Sequence, residues 1–85
     1  MTIEEVRKYA EENDLGIVYF TNPNFNESII GISIDDRVIY DYDSMVNELM
    51  KTDNISCEEA IDFIEYNTIR ALPYIDNAPI ILRYK

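Results

Sequence analysis

The sequence predicts an α+β fold: a four-stranded, mainly antiparallel sheet with three helices on one face, in the order α-β-β-β-α-α-β. Three observations carry this expectation. Two capping boxes, Thr2-Ile3-Glu4-Glu5 and Ser56-Cys57-Glu58-Glu59, each open an apolar stripe at helical spacing. Four short β-rich runs, within 17–20, 28–34, 37–40 and 79–84, are bounded by Gly, Pro, Asn and Asp. Finally, 85 residues of which 47% are hydrophobic support one compact domain, residues 1–85, with one small core.

Each element has a local cause. Ile3, Val6 and Ala10 mark the inner face of the first helix, and Asn13, Asp14 and Gly16 stop it. Ile17-Val18-Tyr19-Phe20 reads as a first strand before the turn residues Thr21-Asn22-Pro23-Asn24. In Ser28–Ile34, alternation with Gly31 and Ser33 directs Ile30, Ile32 and Ile34 to the core and leaves Ile29 on the outer face. Asp35-Asp36 then forms a hairpin turn, since Asp tolerates positive φ, into a third strand, Arg37–Tyr40.

Asp43 or Ser44 starts the second helix, with Met45, Val46, Leu49 and Met50 apolar, and Asp53-Asn54 ends it. The third helix runs from Ser56 to Leu72, where Pro73 closes it. Pro79, which has no amide donor, suits the first residue of an edge strand, Pro79–Tyr84. Two helices in succession return the chain to the end it left. The last strand is therefore expected antiparallel to the third, beside either the first or the third, with the first preferred.

Composition excludes several activities. With no His and a single Cys57, the chain has no His-based triad or general base and no ordinary zinc set, so no enzyme, cofactor or metal is expected. Asp41 and Asp43 begin a calcium-loop spacing, but Met45 and Val46 stand where a ligand and a Gly are needed. No run approaches a membrane span, and Met1-Thr2-Ile3-Glu4-Glu5 is not the start of a signal peptide; a reducing cytoplasm is the expected setting.

The formal charge is −10, and residues 35–65 carry ten acids against two bases. Such a chain does not bind a phosphate backbone directly. Its expected partner is a protein with a basic surface. Carboxylates on a rigid frame can stand in for a phosphate row in a groove built of Lys and Arg. Candidate contacts are Asp35, Asp36, Asp41, Asp43, Glu58, Glu59, Asp62 and Glu65. Tyr40 and Tyr42, on one side of an extended strand, add an interface patch. Two alternatives are a second copy packed on an uncovered sheet face and a small-molecule pocket lined by Tyr19, Tyr40, Tyr66 and Tyr74. Near the end of the third helix, Tyr66 and Arg70 stand at i, i+4, where a guanidinium reaches the ring, and Asn67 and Thr68 are placed to bond backbone carbonyls.

The segments Val38-Ile39-Tyr40-Asp41-Tyr42-Asp43 and Glu58–Tyr74, ending Tyr66-Asn67-Thr68-Ile69-Arg70-Ala71-Leu72-Pro73-Tyr74, resemble a family of small acidic proteins of bacteria and their phages. That family shares a tyrosine-aspartate run, an acidic helix and a YNTIRALPY segment, and the likeness covers residues 38–82. In size, acidity and element order the chain is also similar to some phage anti-CRISPR inhibitors of Cas9-type nucleases. The resemblance implies an inhibitor that occludes a nucleic-acid groove.

Overall fold

The computed structural model describes residues 1–83; Tyr84, the end of the expected last strand, lies outside the described residues. Helix α1 spans Ile3–Glu12 and opens on the expected capping box, Thr2 accepting from the Glu5 amide and Glu5 from the Thr2 amide. It buries Ile3 and Val6. A 3-10 turn, Asn26–Ser28, leads into strand β1, Ile29–Ile32, which pairs antiparallel with β2, Val38–Asp41. Helices α2, Tyr42–Asp53, and α3, Cys57–Phe63, follow, and strand β3, Ile80–Leu82, closes the described chain.

The sheet therefore has three strands and not four, in the spatial order β1-β2-β3, and it is mixed. The expected first strand, Ile17–Phe20, has no ladder: all four residues are half-buried with no alternation. Ile17, Tyr19 and Phe20 instead lay their side chains on the core, and the Phe20 amide donates to the Tyr40 hydroxyl at 3.1 Å. A β-rich composition describes a residue's fit to a half-buried surface, and this segment finds such a surface without becoming a strand.

The hairpin differs in register. Ile29 lies opposite Tyr40 and Gly31 opposite Ile39, so Ile30 is one residue too many for the ladder. That bulge shifts the side-chain alternation by one position. Ile29, not Ile30, is buried at 4% exposure; Ile30 is 38% exposed, and Ile34 lies fully exposed beyond the end of β1. Residues 33–37 make the turn, with Asp36 at φ 63° as its acidic sequence allows.

Strand β3 runs parallel to β2, with Tyr40 beside Ile81, which corrects the expected antiparallel pairing with the first strand. Parallel neighbours require a crossover. It is made by α2 and α3, then by the segment from Ile64 to Pro79, which carries the chain back to the beginning of β2. There Arg37 Nη1 donates to the Ala78 carbonyl at 3.4 Å, fixing the two strand starts side by side. Pro79 directly precedes β3, an edge strand, where its missing donor costs no ladder bond.

Helix α2 begins one to two residues before the expected start. Asp41 is its N-cap, accepting from the amides of Asp43 and Ser44, so Tyr42 is helical and the extended Tyr-Asp-Tyr-Asp run does not exist. Helix α3 has the expected Ser56–Glu59 capping box. It does not continue as an α-helix to Leu72. A π turn, Ile64–Thr68, widens it, and a 3-10 segment, Ile69–Tyr74, passes through Pro73. Asn67 Nδ2 donates to the Phe63 carbonyl at 3.2 Å, engaging a carbonyl where the α-helix changes pitch.

One core gathers these elements. Ile3 and Val6 from α1, Met45, Val46 and Leu49 from α2, and Ala60 and Ile64 from the third helical run meet Ile29, Val38 and Tyr40 of the sheet. Phe25 takes φ 51°, unfavourable for a bulky side chain, and is 1% exposed against the edge of Phe20 at 5.9 Å. Burial of the whole ring holds that conformation.

Candidate functional site

The carboxylates of residues 35–65 divide by their place on the fold. Asp35 and Asp36 sit in the turn before β2, whereas Asp41 and Asp43 lie at its far end. Five residue steps of extended chain separate Asp36 from Asp41, roughly 16 Å. Each group has local work. Ser33 Oγ donates to Asp35, and that hydrogen bond, with help from Arg37 at 3.1 Å, holds the Asp35 carboxyl below its usual range. Arg37–Asp35 is the one ion pair among the described residues. Asp36 accepts from the Tyr9 hydroxyl at 2.6 Å, and Asp41 caps α2.

The four acids of the third helical run behave differently. Glu58, Glu59, Asp62 and Glu65 are all exposed, and none of them is ion-paired among the described residues. Glu58, Asp62 and Glu65 fall on one stripe by the 3.6-residue period. Glu59 is offset and spends one oxygen on the Ser56 amide at 3.2 Å. A shallow groove lined by Glu59, Asp62, Phe63, Glu65, Tyr66, Asn67 and Arg70 runs beside the stripe. Tyr66 is 70% exposed there, with the Arg70 guanidinium stacked 4.6 Å over its ring, as the i, i+4 spacing implies.

Tyr40 and Tyr42 form no interface patch. Tyr40 is completely buried and accepts from Phe20, and Tyr42 is 5% exposed. Strand continuation through residue 42 was the premise, and helix capping by Asp41 removes it. The aromatic pocket of Tyr19, Tyr40, Tyr66 and Tyr74 is not assembled either, since Tyr74 is 89% exposed and Tyr40 lies inside the core.

Two features escape sequence reasoning. The buried Ser28 hydroxyl lies 2.9 Å from Ser44 Oγ and 3.4 Å from Glu48 Oε1. Desolvation raises the Glu48 carboxyl above its ordinary value, and the nearby Glu27 charge adds to the rise. This cluster ties the 3-10 turn to α2. The second feature is the Arg83 guanidinium, 4.2 Å over the Tyr42 ring, beside a cleft at the start of α2. Neither has a local signal, because each joins residues at least sixteen positions apart.

Among the described residues no helix is long and apolar enough to cross a membrane. Comparison with known proteins finds no match among family models, curated proteins or solved structures.

Proposed function

We propose that the chain is a non-enzymatic binding protein that docks the acidic face of its third helix on a basic protein surface, in place of a nucleic-acid strand. The observation that carries this reading is the row Glu58, Glu59, Asp62 and Glu65, exposed and without a cationic partner among the described residues. Four charges fall within seven helical steps, about 10 Å of axis: Glu58, Asp62 and Glu65 on one stripe at roughly 5 Å intervals, and Glu59 offset beside them. A single nucleic-acid strand carries one phosphate per about 3.4 Å. The charge density of the row thus suits a groove that accepts one strand. Inhibition of a host nuclease, including one of a CRISPR system, is the specific form this reading takes.

The test is capture from host cytosol at low and at physiological salt, with captured proteins challenged by duplex DNA or RNA. Because Glu59 closes the capping box, the informative variant is Glu58→Lys, Asp62→Lys and Glu65→Lys with Glu59→Gln, which leaves an acceptor for the Ser56 amide. Capture should fall steeply with salt, be displaced by nucleic acid and be lost in this variant while circular dichroism stays unchanged. Capture that survives the four changes in a folded chain overturns the reading.

A further inference from the structure

We propose that the cleft between the start of α2, the π and 3-10 segments and β3 binds a free apolar α-amino acid. This site is independent of the protein-binding reading and shares only Glu65 with the acidic row. The cleft is open on one side, has a volume of about 380 Å3 and is lined by Tyr42, Glu65, Ile69, Leu72, Ile81 and Arg83. That volume lies within the range of small-ligand sites, roughly 300–1,000 Å3.

Its chemistry is divided among three kinds of group. Ile69, Leu72 and Ile81 offer an aliphatic wall that suits a branched side chain. Tyr42 is 5% exposed, and its hydroxyl oxygen is buried with no hydrogen-bond partner among the described residues. Tyr42 lines the cleft and carries the Arg83 guanidinium on its ring at 4.2 Å. Stacking occupies the guanidinium face and leaves its in-plane N–H groups to take a carboxylate in bidentate fashion.

Glu65 decides the ligand class. A ligand with only an anionic end approaches a chain of charge −10 and meets the Glu65 carboxylate beside Arg83. A zwitterion carries no net charge, offers its carboxylate to Arg83 and its ammonium to Glu65, and places its side chain on the aliphatic wall. A peptide C-terminus has the carboxylate but lacks the ammonium.

Calorimetric titration of the full chain with L-leucine tests the site. Saturable one-to-one heat and a ligand-dependent rise in Tm are expected. Leucinamide, 4-methylpentanoate, N-acetyl-L-leucine and glycine, each lacking one recognised group, should bind roughly tenfold more weakly. Arg83→Gln should weaken L-leucine by about tenfold, with Arg83→Lys intermediate. Glu65→Gln should narrow the preference for L-leucine over 4-methylpentanoate. The proposal is overturned by absence of saturable binding at millimolar L-leucine, or by unchanged affinity in folded Arg83→Gln. Equal affinity for N-acetyl-L-leucine would assign the cleft to a peptide terminus and overturn it as well.

Discussion

Deleting a single oxygen from Tyr40 or from Tyr42 should move stability in opposite directions. The two rings are two residues apart and both are buried, at 0% and 5% exposure. Tyr40 Oη accepts from the Phe20 amide at 3.1 Å, so Tyr40→Phe removes a hydrogen bond and strands an N–H on a half-buried segment. Such a loss costs about 1–2 kcal/mol, the lower part of the usual range because water reaches Phe20 in part. For a chain of this size 1 kcal/mol is about 4–8 °C in Tm, so a fall of roughly 4–16 °C is expected. Tyr42 Oη has no partner among the described residues, and its burial already carries a desolvation cost of about 1–3 kcal/mol. Tyr42→Phe removes that cost and should leave Tm unchanged or raise it. Thermal and urea denaturation followed by circular dichroism, at one pH and without ligand, measure both. A Tyr42→Phe loss as large as that of Tyr40→Phe refutes the reasoning, since it would require a bonded Tyr42 hydroxyl.

Three further outcomes follow from packing and charge. Ile29→Ala should cost about 2–5 kcal/mol and Ile30→Ala less than about 0.5 kcal/mol, because the bulge puts Ile29 in the core; the reverse order in urea melts would restore uninterrupted alternation. Glu48→Gln tests the Ser28 cluster by its pH dependence. The folded carboxyl is raised by desolvation, so its stabilising contribution is present below the ordinary glutamate range, about pH 4.3, and is lost as pH rises through the folded value. The variant should thus gain on the parent between acid and neutral pH, with the gain vanishing in acid; a constant difference in Tm across that range would refute it. The Asp35 carboxyl is lowered, chiefly by the Ser33 hydroxyl, and gives the opposite sign. Its contribution is present above the ordinary aspartate range and lost as pH falls, so the loss in Ser33→Ala should be largest at neutral pH and shrink in acid to the part due to the Arg37 amide, which Ser33 Oγ accepts at 2.9 Å, as paired melts would show.

The acidic row on the third helix could be read from the chain, whereas the cleft beside it could not. Glu58, Asp62 and Glu65 share a stripe because they lie on one helical run, and periodicity is a property of sequence. Tyr42 and Arg83 meet because β3 lies parallel to β2, and no spacing in the chain announces that pairing. The aromatic pair failed as a surface patch for a related reason. Whether Tyr42 extends a strand or begins a helix depends on which oxygen caps α2, and Asp41 takes that role ahead of Asp43 and Ser44.

What the sequence alone determined was a set of arrangements closed within about one helical turn: both capping boxes, the Arg70–Tyr66 stack, the Asn67 bond to Phe63 and the positive φ of Asp36. Those arrangements are fixed by neighbouring backbone geometry and need no other part of the chain. The tertiary structure alone decided the strand count, the Ile30 bulge, the parallel course of β3 and the burial of Tyr40 and Tyr42. Each of these is a choice between surfaces of similar apolarity, settled by which one the distant Phe20, Phe25, Leu49 and Ile64 leave to be covered, and that choice exists only once the core has closed.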